Sequence, residues 1–209
     1  MSDFFFAFSV ALGAMFPIIN PIGHAPIFFM MTGDDAPSVR HRQAAMTSLY
    51  VFLILAISLF LGRFILGAFS ITLDDLRIAG GILIGATAWN MLQNTSRITE
   101  SENMAGEAKA DISLTPMAMP ILSGPGAMSL AVGMSHYGSA PVHYMGYVAG
   151  FFAVAAITWV SLRFAEHLVR IIGTTGIGAL NRLLGFLILA IGVDLIVDGI
   201  RGVAGGSGL

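Results

Sequence analysis

The sequence predicts an all-α membrane protein: six transmembrane helices as two inverted three-helix repeats, with helices 1 and 4 discontinuous. Three observations predict it. The chain is 56% hydrophobic and only 11% charged, with a mean hydropathy of +0.83, outside the range of a soluble domain. Six apolar stretches are divided into two sets of three by one long polar connection, QNTSRITESENMAGEAKADI. Finally, Pro17, Pro21 and Pro26 recur as Pro116, Pro120 and Pro125, each 99 positions later and each inside an apolar stretch.

The first stretch, residues 4–31, has 28 residues. As a continuous helix it would reach roughly 42 Å, against a hydrocarbon core of about 30 Å. Its three prolines remove amide donors and clash with the preceding turn, so the segment is expected to open near mid-bilayer. Residues 44–66 and 76–92 complete the first half, and 113–135, 144–162 and 177–200 make the second. The fourth stretch carries the second proline set and is expected to open in the same way. Residues 1–92 therefore form the first three-helix repeat, 93–112 a polar linker, 113–201 the second repeat and 202–209 a flexible tail, all within one integral membrane domain. A second matched block supports the duplication. LRIAGGILIGA (76–86) resembles NRLLGFLILAI (181–191) at an offset of 105, pairing Arg77 with Arg182 and Gly80 with Gly185. Three helices per half is an odd number, so the second half enters from the opposite face. Seven basic residues (Arg40, Arg42, Arg97, Lys109, Arg163, Arg170 and Arg182) fall on one side, against Arg63, Arg77 and Arg201 on the other. This bias places both termini outside the cytoplasm.

Composition also excludes. A net charge of −2 with scattered basic residues gives no nucleic-acid surface, and the absence of cysteine removes disulfides, thiolate catalysis and Cys-ligated metal. No metal site or cofactor is expected beyond a coupling ion, H+ or Na+. Asp3 stands where a signal peptide would carry positive charge, so the N-terminal stretch reads as a retained membrane helix.

The strings NPIGHAPIF (20–28), IAGGIL (78–83), PMAMPILSGPGA (116–127) and RLLGFLILAIGVDLIVDGI (182–200) together resemble the MarC family of six-helix membrane proteins, over nearly the whole chain. The resemblance implies a multi-pass protein of the bacterial or archaeal inner membrane. One member, SnatA, transports small neutral amino acids such as glycine and alanine. It also implies that the two interrupted helices form the site.

A zwitterionic amino acid needs donors for its carboxylate and acceptors for its ammonium group. Two opposed helix breaks supply both without fixed charge, through amides at the start of one half-helix and carbonyls at the end of another. Gly23, Gly124 and Gly126 are expected to let the backbone approach a ligand and adopt positive φ. Asn20 and Ser123 add side-chain hydrogen bonds, and Pro21, His24, Pro26, Pro120 and Pro125 complete the expected substrate-binding set. His24 is either a cap for freed carbonyls or a proton carrier. Asp194 is the one carboxylate well inside an apolar run and, with His24, the candidate for ion coupling; the alternative places it near the interface. Asp198, one turn on, shares its face or anchors the helix end with Arg201. Thr87, Asn90 and Asn94 form a polar stripe, read as interhelical hydrogen bonding. Gly81-x3-Gly85 and Gly146-x3-Gly150 read as close helix packing, and His41, His136 and His143 as interfacial residues.

The function expected is therefore secondary transport of a small neutral amino acid by alternating access, with ion coupling. A regulatory or structural membrane protein is the alternative. An intramembrane hydrolase built on Ser123 is a weaker one, since there is no G-x-S-x-G or H-E-x-x-H and no base is patterned beside Ser123; the expectation is that the chain is not an enzyme.

Overall fold

The computed structural model describes residues 1–93, 111–136 and 140–205. The predicted linker therefore lies largely outside the described residues, as do Asn94 and positions 206–209 of the predicted tail, while positions 202–204 of that tail continue the last helix. The described chain is all-helical: α1 (Ser2–Ile19), α2 (Pro21–Met31), α3 (Pro37–Ala68), α4 (Leu73–Leu92), α5 (Ser113–Leu122), α6 (Pro125–Met134), α7 (Pro141–Arg163) and α8 (Ala165–Ala204). Each of the six apolar stretches lies on these helices. Four segments are long and apolar enough to cross a membrane: α1, α3, α7 and Thr175–Ala204 of α8. The α5–α6 pair, bent by 69°, makes a fifth when taken as one span. α4 has twenty residues, but Asp74, Asp75 and Arg77 crowd its N-terminal end, where Thr72 and Asp75 form a reciprocal capping box.

The prolines act differently from the expectation. Pro21, Pro37, Pro125 and Pro141 each occupy the first turn of a helix, where a missing amide costs nothing and the fixed φ suits the helix. Pro17 and Pro26 are carried inside α1 and α2. The first segment thus breaks only at Asn20, a few residues past its middle, and α1 alone covers about 27 Å at 1.5 Å per residue.

Small residues set the helix spacing. A Cβ on Gly146 would lie 2.7 Å from Ala7 Cβ and one on Gly150 2.6 Å from Ala11 Cβ, so the glycine pair seats α7 directly on the buried face of α1. A Cβ on Gly81 would lie 2.6 Å from the Gly192 carbonyl oxygen, and α4 and α8 meet backbone to backbone there. The core continues through Met15, Ile19, Leu55, Tyr147, Phe151 and Ile188, while Phe64, Ile171 and Phe186 point outward from the bundle as an apolar surface suited to acyl chains.

α8 differs from its expected bounds. It starts at Ala165 and turns at Gly173 (φ 68°), a conformation that costs glycine little. Arg182 consequently stands inside α8, as Arg170 and Arg201 do, and not in a loop. Arg40 ties the arginine-rich end together. It donates to the Thr32 and Gly33 carbonyls at 3.2 and 3.1 Å and meets Glu166 of α8 at 3.4 Å. Just ahead of α5, hydrogen bonds from Ser113 hold the Asp111 carboxyl below the usual carboxylate range.

Candidate functional site between two helix breaks

The first break is a single residue. Asn20 adopts the left-handed conformation (φ 45°, ψ 58°), which asparagine tolerates better than most residues. Its N–H still donates to the Phe16 carbonyl at 3.0 Å, and its carbonyl accepts from the His24 N–H at 3.1 Å. Its side-chain oxygen accepts from the Gly23 N–H at 3.1 Å, capping α2, and its side-chain amide donates to Asn181 Oδ1 on α8 at 2.9 Å. His24 Nδ1 donates to the Ile19 carbonyl at 2.8 Å. The break closes on itself. Gly23 belongs to that closure, because a Cβ there would run into the Asn20 and Asn181 side chains. Neither Gly23 nor Gly124 nor Gly126 has positive φ; Asn20 takes the left-handed turn that the sequence assigned to glycine.

The second break is wider. In α5 the hydrogen bonds reach back five residues, from the Met117 N–H to Ile112 (3.1 Å) and from the Ser123 N–H to Ala118 (2.8 Å). Thr115 and Met119 are extended, and the Thr115–Pro116 and Met119–Pro120 peptide bonds are cis. α6 then begins at Pro125 behind Gly124, with no side-chain cap. Among the described residues no side chain caps its first amides, those of Gly126 and Ala127. Gly126 also lets α6 approach α4, since a Cβ there would lie 2.6 Å from Ile84 Cγ1.

A cavity of about 360 Å³ lies between the breaks. The second break supplies Pro120 and the Gly124 to Ala127 turn, the first supplies His24, α4 supplies Thr87 and Asn90, and α8 supplies Ile188. No charged side chain is in this wall, and His24 is its one titratable residue among the described residues. Thr87 Oγ1 donates to the Leu83 carbonyl at 2.9 Å, which leaves its lone pairs free to accept. The wall therefore brings the backbone of the Gly124 to Ala127 turn to one place and the Thr87 hydroxyl and Asn90 side-chain amide to another.

Of the residues singled out in the sequence, His24, Pro120, Gly124, Pro125 and Gly126 line the cavity. Asn20, Pro21, Gly23, Pro26 and Ser123 are not in its wall. Ser123 is fully buried and its hydroxyl has no hydrogen-bond partner among the described residues, so no base stands beside it. Asp194 is exposed on the outer face of α8, in a shallow hollow with Phe186, Val193, Val197 and Arg201, apart from the cavity. Asp198 is 3.9 Å from Arg201 at the helix end. Sequence reasoning read Thr87 and Asn90 as a packing stripe and gave Asn181 no role. Each carried a signal, a polar side chain interrupting an apolar run.

These features define a polytopic helical membrane protein with a central cavity set between two interrupted helices. The chain belongs to the MarC family of integral membrane proteins, whose family model matches residues 3–204. It is 32% identical to the inner membrane protein MarC of Citrobacter koseri, over 96% of both chains. It is 35% identical to the membrane protein YhcE of Escherichia coli strain K12, over 96% of this chain and 94% of that one, and 36% identical to a membrane protein of Buchnera aphidicola, over 97% and 95%. No solved structure matches the chain. The protein is thus a multi-pass inner-membrane protein.

Proposed function

We propose that the chain is a secondary transporter of a small neutral amino acid, of the glycine or alanine class, working by alternating access around this cavity. The observation that carries the reading is the cavity wall itself: uncharged, polar at two separate places, and bounded by both helix breaks. Its volume lies at the low end for ligand pockets, about 300 to 1,000 Å³, which suits a small solute. In this reading the open α6 amides take the carboxylate, and Thr87 and Asn90 take the ammonium group. The same reading includes six spans, with α4 as the third, built as two inverted repeats. The packing supports it. Exchanging the halves maps the contacts of α2 with α8 onto those of α6 with α4, and those of α1 with α7 onto those of α5 with α3, while α4–α8 and α3–α7 map onto themselves.

Coupling to H+ in this reading runs through His24, which lines the cavity, and not through Asp194, which faces away from it; Na+ is the other candidate ion. The chain is read as a non-enzyme, for an isolated Ser123 hydroxyl has nothing to take its proton. Reconstituted protein given labelled glycine, alanine and serine, with and without imposed pH or Na+ gradients, tests all of this. Uptake is expected in the wild type, reduced at least tenfold in Asn90→Leu, retained in Ser123→Ala and Asp194→Asn, and insensitive to a pH gradient in His24→Gln. Wild-type vesicles that accumulate none of the panel under any gradient would leave the regulatory or structural reading in its place.

A further inference from the structure

Both breaks lie beside one cavity, but among the described residues only the first has a side chain at the pivot itself bonded to the side chain of a distant helix; the second broken element is tied farther back, where the Ser113 hydroxyl donates to the Gln43 carbonyl of α3 at 3.3 Å. Asn20 is 2% exposed, and its amide reaches Asn181 on α8, 161 residues away in sequence, at 2.9 Å. We propose that Asn181 is a positioning residue for the cavity: acting through Asn20, it fixes the left-handed pivot between α1 and α2, and with it the place of His24 in the cavity wall.

Three contacts interlock at this point. The Asn20 side chain holds α8 through its nitrogen and the first turn of α2 through its oxygen, so one group joins two elements. The Asn20–Asn181 pair lies where a Gly23 Cβ would be, so α2 seats on the pair and not beside it. His24 follows directly, with its ring bound back across the pivot to the Ile19 carbonyl. A swing of α2 away from α8 must either break the Gly23 cap bond to Asn20 or carry Asn20 off Asn181, so the amide pair resists both movements of the pivot. At the turn of the second break no such side-chain pair is present among the described residues: α6 starts without a side-chain cap and Ser123 has no partner, and the Ser113–Gln43 bond holds only the start of α5. Asn181 acts as the acceptor, so aspartate at that position keeps the bond and alanine loses it. The inference holds whatever solute enters the cavity and does not depend on the transport reading.

The chain has no cysteine, so a spin-label pair at Met30→Cys on α2 and Leu187→Cys on α8, both exposed positions, reports their separation alone. Double electron–electron resonance on the full-length protein in lipid is the measurement. The parent and Asn90→Ala, which alters the cavity without touching the tie, are expected to give the same narrow distribution. Asn181→Ala is expected to give a second population or at least a twofold broader one, and Asn181→Asp to match the parent. Asn20→Gly, which keeps the left-handed pivot but removes the amide, is expected to match Asn181→Ala and decides alone where Asn181→Ala does not fold. A purely stabilising contact would lower the melting temperature and leave the distances superimposable, which overturns the proposal. Broadening in Asn181→Asp equal to that in Asn181→Ala overturns it as well.

Discussion

Asn20 meets three requirements that few other side chains meet together: it accepts the left-handed conformation, caps the following helix with its oxygen and donates across to α8 with its nitrogen. Alanine fails all three. Asn20→Ala is expected to cost about 2 to 3 kcal/mol, from the left-handed strain and the lost cap together, while Asn20→Gly recovers most of it. Chemical unfolding in detergent, followed by circular dichroism, checks both values. At this scale the sequence was partly legible. A polar residue before proline inside an apolar run announces a break, and Asn20-Pro21 does so. Gly23 was misread, because a missing Cβ leaves the same mark in a sequence whether it makes room for a ligand or for a neighbouring amide. Ser123 shows the converse: a hydroxyl beside a helix break suggested a site residue, yet it is buried, without a partner among the described residues, and outside the cavity wall.

At the scale of elements, proline position matters more than proline count. The offset of 99 aligns residues of the same type, but those with the same structural place are Pro21 and Pro125, each opening a resumed helix, 104 positions apart. That is one residue from the offset of 105 that pairs Arg77 with Arg182 in the second block. Pro17, Pro26, Pro116 and Pro120 lie within helical elements. Glycine spacing was read correctly as packing in both small-x3-small patterns, and the structure supplies the partners: α1 for Gly146 and Gly150, α8 for Gly81. Backbone against backbone leaves no side chain to rotate away. Gly81→Ala is therefore expected to destabilise by about 1 to 3 kcal/mol, the usual cost of overpacking. Gly13→Ala, where a Cβ meets nothing within 4 Å, is expected to be neutral or to gain up to about 1 kcal/mol from helix propensity. Thermal melts of the two variants side by side separate packing from propensity.

At the scale of the whole molecule, charge sets orientation and apolar surface sets the environment. Arg40, Arg42, Arg163 and Arg170 gather at the end of the bundle where α3 starts and α7 finishes, and the Arg40–Glu166 contact joins them to the start of α8. By the positive-inside rule this end faces the cytoplasm and the N-terminus of α1 faces out. In cells carrying single cysteines, a membrane-impermeant maleimide is expected to label Ser2→Cys and to spare Ser38→Cys until the membrane is opened; the reverse pattern would turn the molecule over. Asp194 belongs to this scale too. Its depth in an apolar run suggested a coupling site, but the direction in which a helical side chain points depends on which face of α8 meets α4, and that face is the one bearing Gly192.

Composition, the six apolar stretches and the proline-rich breaks determined, from sequence alone, that this is an all-helical membrane protein interrupted at two places, because hydrophobicity and missing amide donors act locally on any chain that carries them. Tertiary structure decided which groups those breaks leave open. Asn181 closes the first from a helix more than a hundred residues away, the second brings its Gly124 to Ala127 turn to the cavity wall with Thr87 and Asn90, and Asp194 turns outward. Those outcomes depend on how helices are rotated against one another, and that rotation is set by contacts of glycines and amides whose distant partners no local pattern names.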